Sequence, residues 1–266
     1  MITTKQTSQF KSQAVNTTQH NKNIYKRVNV QTIMDLSVVI PTINSSKIIK
    51  ENVLKIRKTI EDIIKTAKID KFEILIAAQT STDNTFEILN TIKDDIIKPV
   101  FIKPKGKGIG LTLGIRKAKY DWVLMVDDDI PYDITKFLKL AIEKYVKEAE
   151  IIIASRYVSG GKYQSSMKRK VLSWTYRLII KIIFGIPQKD IQAGMKIIKR
   201  NVFKKIKYPK EHGYIWDTEL LYNANKKNIK IVEIPVILEN PENNQLKIIK
   251  AAINMLLDMI KLRLRL

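Results

Sequence analysis

The chain of 266 residues contains no cysteine and only two histidines, His20 and His212. The lack of cysteine excludes disulfides, thiolate metal sites and a cysteine nucleophile, and two histidines cannot build a histidine-rich zinc site. Long apolar runs are also missing, because Lys or Arg interrupts every hydrophobic stretch well before the roughly 20 residues that a membrane-spanning helix needs. The N-terminus has no apolar core of the signal-peptide type, so we expect neither a leader nor a transmembrane segment.

Acidic residues are few relative to basic ones: 26 Asp and Glu stand against 48 Lys and Arg, which gives a formal net charge of +22. Nucleic acid, an anionic membrane surface and small phosphorylated substrates are the partner classes that such a charge favours. The hydrophobic fraction of 45% is sufficient for a sizeable core. Charge alone therefore indicates an anionic partner without choosing among these classes.

Three segments differ in composition. Residues 1–34 contain no acidic residue and many Thr, Gln, Asn and Ser, with too little apolar material to fold alone, which predicts a mobile basic tail. Residues 35–245 have the mixed composition of a single catalytic-type domain. Residues 246–266 predict an amphipathic helix that closes the chain.

Short β-branched runs alternate with amphipathic stretches along the middle segment. Strands are predicted at residues 36–40, 72–78, 100–102, 122–126 and 151–154, with helices at residues 49–67, 83–92, 109–118 and 134–146. This alternation predicts βαβ units, and hence an α/β fold with a mostly parallel sheet and helices on both faces. Because ligands bind beyond the carboxyl ends of such strands, the residues directly after each strand are the candidates for a site.

The acidic triplet Asp127, Asp128 and Asp129 directly follows one predicted strand. Side chains two apart on extended backbone point the same way, so we expect Asp127 and Asp129 to project together into the crevice while Asp128 faces elsewhere. Two carboxylates suit Mg²⁺ or Mn²⁺, which also bind phosphate oxygens and water. The alternative is a solvated acidic turn, but the position at the end of an apolar strand favours a metal site.

Basic residues follow two other predicted strands. The turn at residues 105–110 precedes a helix, where glycine lets backbone N–H groups approach a phosphate and Lys107 adds positive potential. Its spacing fits neither the dinucleotide fingerprint nor the P-loop, and a glycine-rich turn without a ligand is an equal alternative. Arg156 and Arg169 could clamp an anionic group, although basic clusters such as residues 168–170 are usually solvated.

Seven motifs occur along the chain in a fixed order. They are Ser37-Val-Val-Ile-Pro-Thr42, Ser81-Thr-Asp-Asn-Thr85, Lys107-Gly108, Val126-Asp-Asp-Asp129, Ser155-Arg-Tyr-Val-Ser-Gly-Gly161, Lys168-Arg-Lys-Val-Leu-Ser173 and Asp190-Ile-Gln-Ala-Gly194. This ordered set resembles the family 2 inverting glycosyltransferases of the GT-A fold, and within them the dolichyl-phosphate mannose and dolichyl-phosphate glucose synthases. The resemblance implies a GT-A-type sheet and a metal-dependent hexose transfer.

The resemblance also implies roles for individual residues. Asp127 and Asp129 match the family's Asp-x-Asp metal motif, while Arg156 and Arg169 match basic residues that hold the phosphates of donor and acceptor. These four residues are the catalytic candidates. The candidates for substrate binding are Pro41, Thr42, Asn44, Gln79, Asp83, Lys107, Gly108, Asp128, Ser173, Asp190 and Gln192.

The chain departs from the family pattern at a few positions. An acidic pair usually follows the second strand, where this chain has Ala78 and Gln79. A glutamate commonly follows the first strand, where this chain has Ser45, and a glutamine that often completes the metal shell is replaced by Pro131. Because a carboxylate that could discriminate a base N–H is missing, we expect looser base discrimination or recognition through backbone groups.

Three functions are consistent with these observations. The leading hypothesis is transfer of mannose or glucose from a GDP- or UDP-hexose to a polyprenyl phosphate, with Mg²⁺ or Mn²⁺ as cofactor; a phosphate with about −1.5 to −2 charges at pH 7 needs no strong general base. A glycan or protein hydroxyl acceptor would need a base, for which Asp217 is the only obvious candidate. A basic nucleic-acid-binding protein leaves the Asp triplet unexplained, so we expect no nucleic-acid partner.

A membrane contact is predicted from two amphipathic segments. In residues 246–266 the polar residues recur every three or four positions, and the remainder is almost wholly Leu, Ile, Ala and Met. Such a helix can pack on the protein's own core, but its broad apolar face and a lipid acceptor favour an interfacial helix on an anionic membrane. Residues 168–184 offer a second basic and apolar surface. We therefore expect a cytoplasmic protein that is peripheral to the cytoplasmic face of a membrane.

Overall fold

The computed structural model describes residues 34–64, 69–129, 132–210, 213–238 and 245–266, and within them the side chains of all residues except Arg169 and residues 245–254. The predicted tail therefore lies outside the described residues, apart from its last residue, Met34, which belongs to the first strand instead. Pro131 also lies outside them.

The described residues form nine strands and eight α-helices. The strands are β1 (Met34–Thr42), β2 (Ile69–Gln79), β3 (Ile97–Ile102), β4 (Trp122–Val126), β5 (Ile151–Ser155), β6 (Lys162–Tyr163), β7 (Met195–Lys199), β8 (Ile231–Pro235) and β9 (Ile237–Leu238). The helices are α1 (Ile49–Ile64), α2 (Thr85–Asn90), α3 (Lys107–Lys117), α4 (Ile134–Leu140), α5 (Met167–Phe184), α6 (Val202–Ile206), α7 (Trp216–Lys226) and α8 (Gln245–Arg265). A π-helical turn, Ala141–Tyr145, continues α4.

Seven strands form one sheet in the order β3-β2-β1-β4-β7-β5-β8. Neighbouring strands are parallel except at β7, which runs antiparallel to both β4 and β5. The predicted mostly parallel sheet is thus confirmed. β7 is absent from the predicted strands because Lys196, a residue type that is seldom buried, interrupts its short apolar run although its exposure is only 1%.

Helices cover both faces of the sheet, as the alternating pattern predicts. On one face α1 contributes buried side chains at three- and four-residue spacing, namely Ile49, Val53, Ile56, Ile60 and Ile63. On the other face Ile115 of α3, Ile180 of α5 and Trp216 of α7 join a second core. Because both faces are buried, all five residues of β4 are apolar and buried.

Local hydrogen bonds shift one predicted helix boundary. The stretch at residues 83–92 is helical only over α2, and Asn84 rather than Asp83 precedes it, without a side-chain capping bond. The Asp83 carboxylate instead accepts hydrogen bonds from Thr85 and Ser46, which draws it toward the loop after β1. The helix predicted at residues 83–92 therefore begins two residues later than expected, at Thr85.

None of the helices within the described ranges is both long enough and apolar enough to cross a membrane.

Candidate active site

A cavity of about 360 Å³ lies beyond the carboxyl ends of β1, β2 and β4. It is lined by Pro41, Thr42, Ile43, Gln79, Gly106, Lys107, Asp127, Asp128, Asp129, Gly213 and Tyr214. Three neighbouring parallel strands end at the same edge of the sheet, so residues far apart in sequence meet there. Ile43 and Gly106 belong to segments that follow predicted strands and were expected near the site, although not as individual candidates. The sequence analysis missed Gly213 and Tyr214, which carry no sequence signal because they precede α7 rather than follow a strand.

Lys107 and Asp127 form an ion pair across this cavity. The Lys107 Nζ atom lies 2.6 Å from Asp127 Oδ1, and both side chains are about three-quarters buried, with 24% and 28% exposure. Burial opposes the charge on Lys107, but the carboxylates of Asp127 and Asp217 outweigh it and raise the pKa of Lys107. Lys107 is therefore a fixed positive charge at the start of α3.

Asp128 is tied to the loop after β1. Its Oδ2 atom accepts hydrogen bonds of 2.5 Å from the hydroxyls of Thr42 and Ser45, and its backbone carbonyl accepts one of 2.8 Å from the side-chain amide of Asn52. Ser45, one of the departures from the family pattern, thus anchors the acidic triplet. Asp127 and Asp128 have different partners, but Asp128 lines the same cavity as Asp127 and Asp129, so the expectation that it faces elsewhere was wrong.

Asp129 completes a concentration of negative charge. Burial, followed by the nearby carboxylates of Asp127 and Asp128, raises the pKa of Asp129 to about 6. A divalent cation beside these carboxylates would relieve the repulsion, and Mg²⁺ or Mn²⁺ typically uses one or two carboxylates together with phosphate oxygens and water. Within the described residues no group of three or more metal-binding side chains is assembled, so Asp127 and Asp129 fit such an ion only as a pair.

Gly194 allows the Asp127 carboxylate to lie against the start of β7. Val126 of β4 pairs with Met195 of β7, which brings the two segments side by side. A Cβ atom on Gly194 would collide with Asp127 Oδ2, and Gly194 N donates a hydrogen bond of 3.3 Å to the hydroxyl of Tyr132. The absence of a side chain at Gly194 therefore controls the position of Asp127.

Gln79 holds the glycine-rich turn. Its Oε1 atom accepts a hydrogen bond of 2.6 Å from Gly106 N, where the backbone has a φ of 131° that favours glycine. Gly108 is buried in the first turn of α3 and does not line the cavity. The sequence predicts that backbone N–H groups of this turn bind a phosphate. The N–H group of Gly106 is not available for that role, because it already donates to Gln79.

Asn44 and Asp83 brace two loops rather than line the cavity. The Asn44 Oδ1 atom accepts a 2.7 Å hydrogen bond from Thr82 N, and Asp83 Oδ2 accepts one of 3.1 Å from Ser46 N. Burial alone would raise the pKa of Asp83, but hydrogen bonds from Thr85 and Ser46 outweigh it and lower the pKa to about 2. Both residues therefore position the loop that follows β1.

Arg156 and Asp190 form a second polar centre. Asp190 is 1% exposed, and its carboxylate accepts three hydrogen bonds of 2.7 to 2.8 Å from the backbone and guanidinium nitrogens of Arg156. Burial opposes the charge, yet Asp190 raises the pKa of Arg156. Asp190, expected on the acceptor side, therefore orients Arg156, and the backbone carbonyl of Gln192 accepts a further bond of 3.4 Å from it.

Two other acceptor-side candidates meet at α5: Ser173 belongs to this helix, and Gln192 contacts it from the segment before β7. The Ser173 hydroxyl is 2.7 Å from the hydroxyl of Tyr157, the residue that follows Arg156. Gln192 donates a hydrogen bond of 3.1 Å to the hydroxyl of Tyr176, also on α5. The backbone of Arg169 belongs to the first turn of α5, and its side chain lies outside the described residues.

Asp217, the candidate general base, is engaged by a buried lysine. Its Oδ1 atom accepts a hydrogen bond of 2.7 Å from Lys196 Nζ, and the two side chains are only 7% and 1% exposed. Lys196 Nζ also donates to the backbone carbonyl of Ala193. The Asp217 carboxylate is therefore occupied by a buried ion pair.

Comparison with known proteins places these features in a family. The family model described as "Glycosyl transferase family 2" matches residues 37–207, which include every catalytic and substrate-binding candidate of the sequence analysis but not Asp217. Glycosyltransferase AglD from Haloferax volcanii is 25% identical over 226 residues, which are 84% of this chain and 36% of AglD. The chain also spans 59% of the dolichyl-phosphate beta-glucosyltransferase ALG5C of Trichomonas vaginalis, at 28% identity over 72% of its own length.

The chain covers a larger share of two other relatives. The dolichyl-phosphate beta-glucosyltransferase of Saccharomyces cerevisiae is 29% identical over 255 residues, and that of Dictyostelium discoideum is 26% identical over 252; each alignment covers 86% of this chain and 74% of the relative. Among solved structures, glucosyl-3-phosphoglycerate synthase from Mycobacterium tuberculosis, in complex with Mn²⁺, UDP-glucose and phosphoglyceric acid, has a TM-score of 0.61 at 15% identity. That match covers 86% of this chain and 79% of the other, and it confirms the GT-A-type fold.

Proposed function

Because the chain belongs to glycosyl transferase family 2, we propose that it transfers a hexose, glucose in the first place, from a nucleoside diphosphate sugar to a polyprenyl phosphate. The names of the relatives from yeast and Dictyostelium, which are dolichyl-phosphate beta-glucosyltransferases, support this sugar and this acceptor. The structural observation that carries the proposal is the cavity where Lys107 and the Asp127–Asp129 triplet meet the ends of β1 and β2.

The charges in the cavity suit a nucleoside diphosphate donor. Asp127 and Asp129 would hold Mg²⁺ or Mn²⁺, which when bound neutralises negative charge on the departing diphosphate. Lys107 adds a fixed positive charge that requires no reorganisation during the reaction. The complexes of the mycobacterial structural neighbour with UDP and UDP-glucose support UDP rather than GDP as the nucleotide.

The state of Asp217 favours a phosphate acceptor over a hydroxyl acceptor. A glycan or protein hydroxyl must lose a proton as it attacks, which calls for a general base within reach. Asp217 is buried and paired with Lys196, so its carboxylate is already engaged and does not face an acceptor hydroxyl. A phosphate monoester already carries the negative charge of a nucleophile at neutral pH, and it requires only cations that orient it.

An exposed apolar stripe on α5 supports contact with a membrane. Five side chains spaced three or four residues apart share one side of the helix: Met167, Val171, Trp174, Leu178 and Ile182. Met167 and Ile182 are more than 70% exposed, and Lys168, Lys170 and Lys181 are exposed on the same helix. Apolar burial together with basic residues holds a protein at an anionic interface without a spanning segment, which supports a peripheral position at a membrane.

The described end of α8 has a mixed environment. Met259 and Leu262 are buried in the second core, and Arg265 pairs with Glu219 at 2.8 Å. Leu257, Ile260 and Leu264 on the same helix are exposed. α8 thus packs on the core with one side, and the sequence-based expectation of a purely interfacial helix is only partly met. Substitutions on α5 therefore give a cleaner membrane test than deletion of α8.

The proposal is tested by incubating the protein with radiolabelled UDP-glucose, UDP-galactose or GDP-mannose and a polyprenyl phosphate in vesicles, with Mn²⁺ or with EDTA. We expect glucosyl lipid from UDP-glucose, loss of product with EDTA, and loss of product in Asp127→Asn but not in the exposed control Asp70→Asn. Transfer to glycan or protein hydroxyls with none to lipid would overturn the acceptor assignment.

The membrane position has its own test. Trp174→Ser combined with Ile182→Ser should reduce co-sedimentation with phosphatidylglycerol vesicles, whereas Leu54→Ser, on the exposed side of α1, should not. Equal binding by all three proteins would show that α5 is not the contact surface.

A further inference from the structure

Helix α5 turns its other side toward the Arg156 centre. Opposite the exposed stripe, Ile180 and Phe184 are buried in the second core. Ser173 and Arg177, one helical turn apart, both contact Tyr157, which follows Arg156 in the chain. The helix that carries the exposed apolar stripe is therefore attached directly to the segment that carries Arg156.

Two guanidinium groups share the aromatic ring of Tyr157. The Arg177 Cζ atom lies 3.7 Å from the ring centroid and the Arg156 Cζ atom lies 5.3 Å from it. The Tyr157 hydroxyl is fixed by its 2.7 Å contact with Ser173 Oγ. A ring face attracts a cation and restricts the orientation of a planar guanidinium, so Tyr157 is a platform that holds Arg177.

The two arginines differ in how their charges are satisfied. Arg156 is bound by the Asp190 carboxylate through Nε and one terminal nitrogen. Arg177 donates from Nε to the backbone carbonyl of Ser173 at 3.3 Å. Throughout the part of the chain that the structure describes, no carboxylate forms an ion pair with Arg177, and its terminal nitrogens have no hydrogen-bond partner. Two positive charges are thus accompanied by one negative charge.

This arrangement suits a phosphate group. Arginine binds phosphate through two parallel N–H donors, and these charge-assisted bonds are stronger than neutral ones. A guanidinium that is stacked in advance loses less side-chain freedom on binding. Arg177 also lies only three residues after Trp174 of the exposed stripe, so a ligand whose apolar chain lies in the membrane could present its phosphate at this depth.

We propose that Arg177 binds the phosphate of the acceptor beside Arg156, with Tyr157 and Ser173 holding its guanidinium in place. The assignment rests on the proposed function, because the acceptor there is a phosphate monoester. A second source of the same chemistry is the phosphate of bulk membrane lipids, and the experiment separates the two sources.

The first arm measures binding without turnover. Farnesyl phosphate in neutral detergent micelles is titrated calorimetrically into the wild type, Arg177→Met, Arg177→Lys and the control Lys58→Met, which removes an exposed charge from α1. We expect about tenfold or weaker binding in Arg177→Met, since one charge-assisted hydrogen bond is worth at least that factor. Arg177→Lys should recover part of the loss, and Lys58→Met should bind within twofold of the wild type.

The second arm measures kinetics with the same proteins. The KM for the lipid phosphate should rise in Arg177→Met while the KM for the nucleotide sugar stays unchanged. Tyr157→Leu should raise the acceptor KM as well, and the double variant should be no worse than Arg177→Met, because the platform acts only through that guanidinium.

A third arm distinguishes bulk lipid from acceptor. If Arg177→Met loses binding to phosphatidylglycerol vesicles but keeps its affinity for farnesyl phosphate in micelles, Arg177 contacts bulk headgroups and the proposal is wrong. Unchanged farnesyl phosphate affinity in every variant also overturns it. Failure of the proposed function is separate: it appears as a wild type that binds farnesyl phosphate but transfers no sugar to it.

Discussion

Lys107 Nζ and Asp127 Oδ1, 2.6 Å apart, join the first residue of α3 to the first residue after β4. The contact links the glycine-rich turn to the acidic triplet, the two strongest features of the sequence. It also means that the positive charge expected to face a phosphate is already held beside a carboxylate. The position of Lys107 is thus set before any substrate enters.

Replacement of Lys107 tests its contribution to catalysis. Lys107→Met should lower kcat by about 10² to 10³, because one preorganised group that stabilises developing charge is typically worth that much. Lys105→Met removes an exposed charge from the same turn and should change kcat little. The measurement is initial velocity at saturating donor. Equal effects at both positions would indicate a general electrostatic role for the turn.

Asp129 and Asp128 should respond in different ways. Asp129→Asn should reduce turnover at least about 100-fold with little change in Tm, since its carboxylate lies in the cavity and fits a metal ligand. Asp128→Ala removes the acceptor of the Thr42 and Ser45 hydroxyls and should cost about 1–3 kcal/mol of stability. Thermal unfolding and kcat measured on both variants check this. The assignment fails if Asp129→Asn unfolds as readily as Asp128→Ala.

Gly194 should be sensitive to a single added methyl group. In Gly194→Ala the new Cβ would meet Asp127 Oδ2, so the affinity for Mn²⁺ and the turnover should both fall. Gly114→Ala is the matched control: its Cβ would meet Val39 Cγ1 at 2.5 Å in the core, away from the triplet. Both variants should lose about 1–3 kcal/mol of stability from overpacking. Only the first should lose Mn²⁺ affinity, measured by titration followed by electron paramagnetic resonance.

The buried Lys196–Asp217 pair should show strong coupling. Lys196→Met leaves the Asp217 carboxylate buried without its cation and should destabilise the fold by about 3–5 kcal/mol. The double variant Lys196→Met with Asp217→Leu removes both charges and should regain most of that loss. Chemical denaturation of the two single variants and the double variant provides the coupling energy. Additive losses would mean that the two charges do not depend on each other.

The hydrogen bonds that Asp83 accepts from Ser46 and Thr85 should make part of the free energy of unfolding depend on pH. Its folded pKa of about 2 lies below the usual value of 3.8, so the stabilisation is present above pH 4 and is lost as the pH falls toward 2. The difference in unfolding free energy between wild type and Asp83→Ala should therefore be constant above about pH 5 and shrink below pH 4. Asp70→Ala, an exposed carboxylate, is the control. A difference that grows on acidification would contradict this assignment.

Local patterns predicted the strands of the sheet well and their connections less well. Trp122–Val126 was predicted with its observed bounds because a strand buried on both faces must be apolar throughout. β6 and β9, two residues each, are too short to show any periodicity. α2 is shorter than its pattern because Asp83 bonds to the loop after β1, which local propensity does not reveal.

Local patterns in the sequence were enough to predict the layered fold and the edge at which the cavity lies, because apolar periodicity reports burial and parallel strands end together. For that reason Pro41, Thr42, Gln79, Lys107 and Asp127 could be placed in one site without coordinates. The pairing of the charged groups could be seen only in the folded protein. Asp190 binds Arg156 and Asp217 binds Lys196 across 34 and 21 residues, and Gly194 reaches Asp127 because β7 inserts antiparallel beside β4. Such long-range pairings depend on strand order, which no local pattern contains.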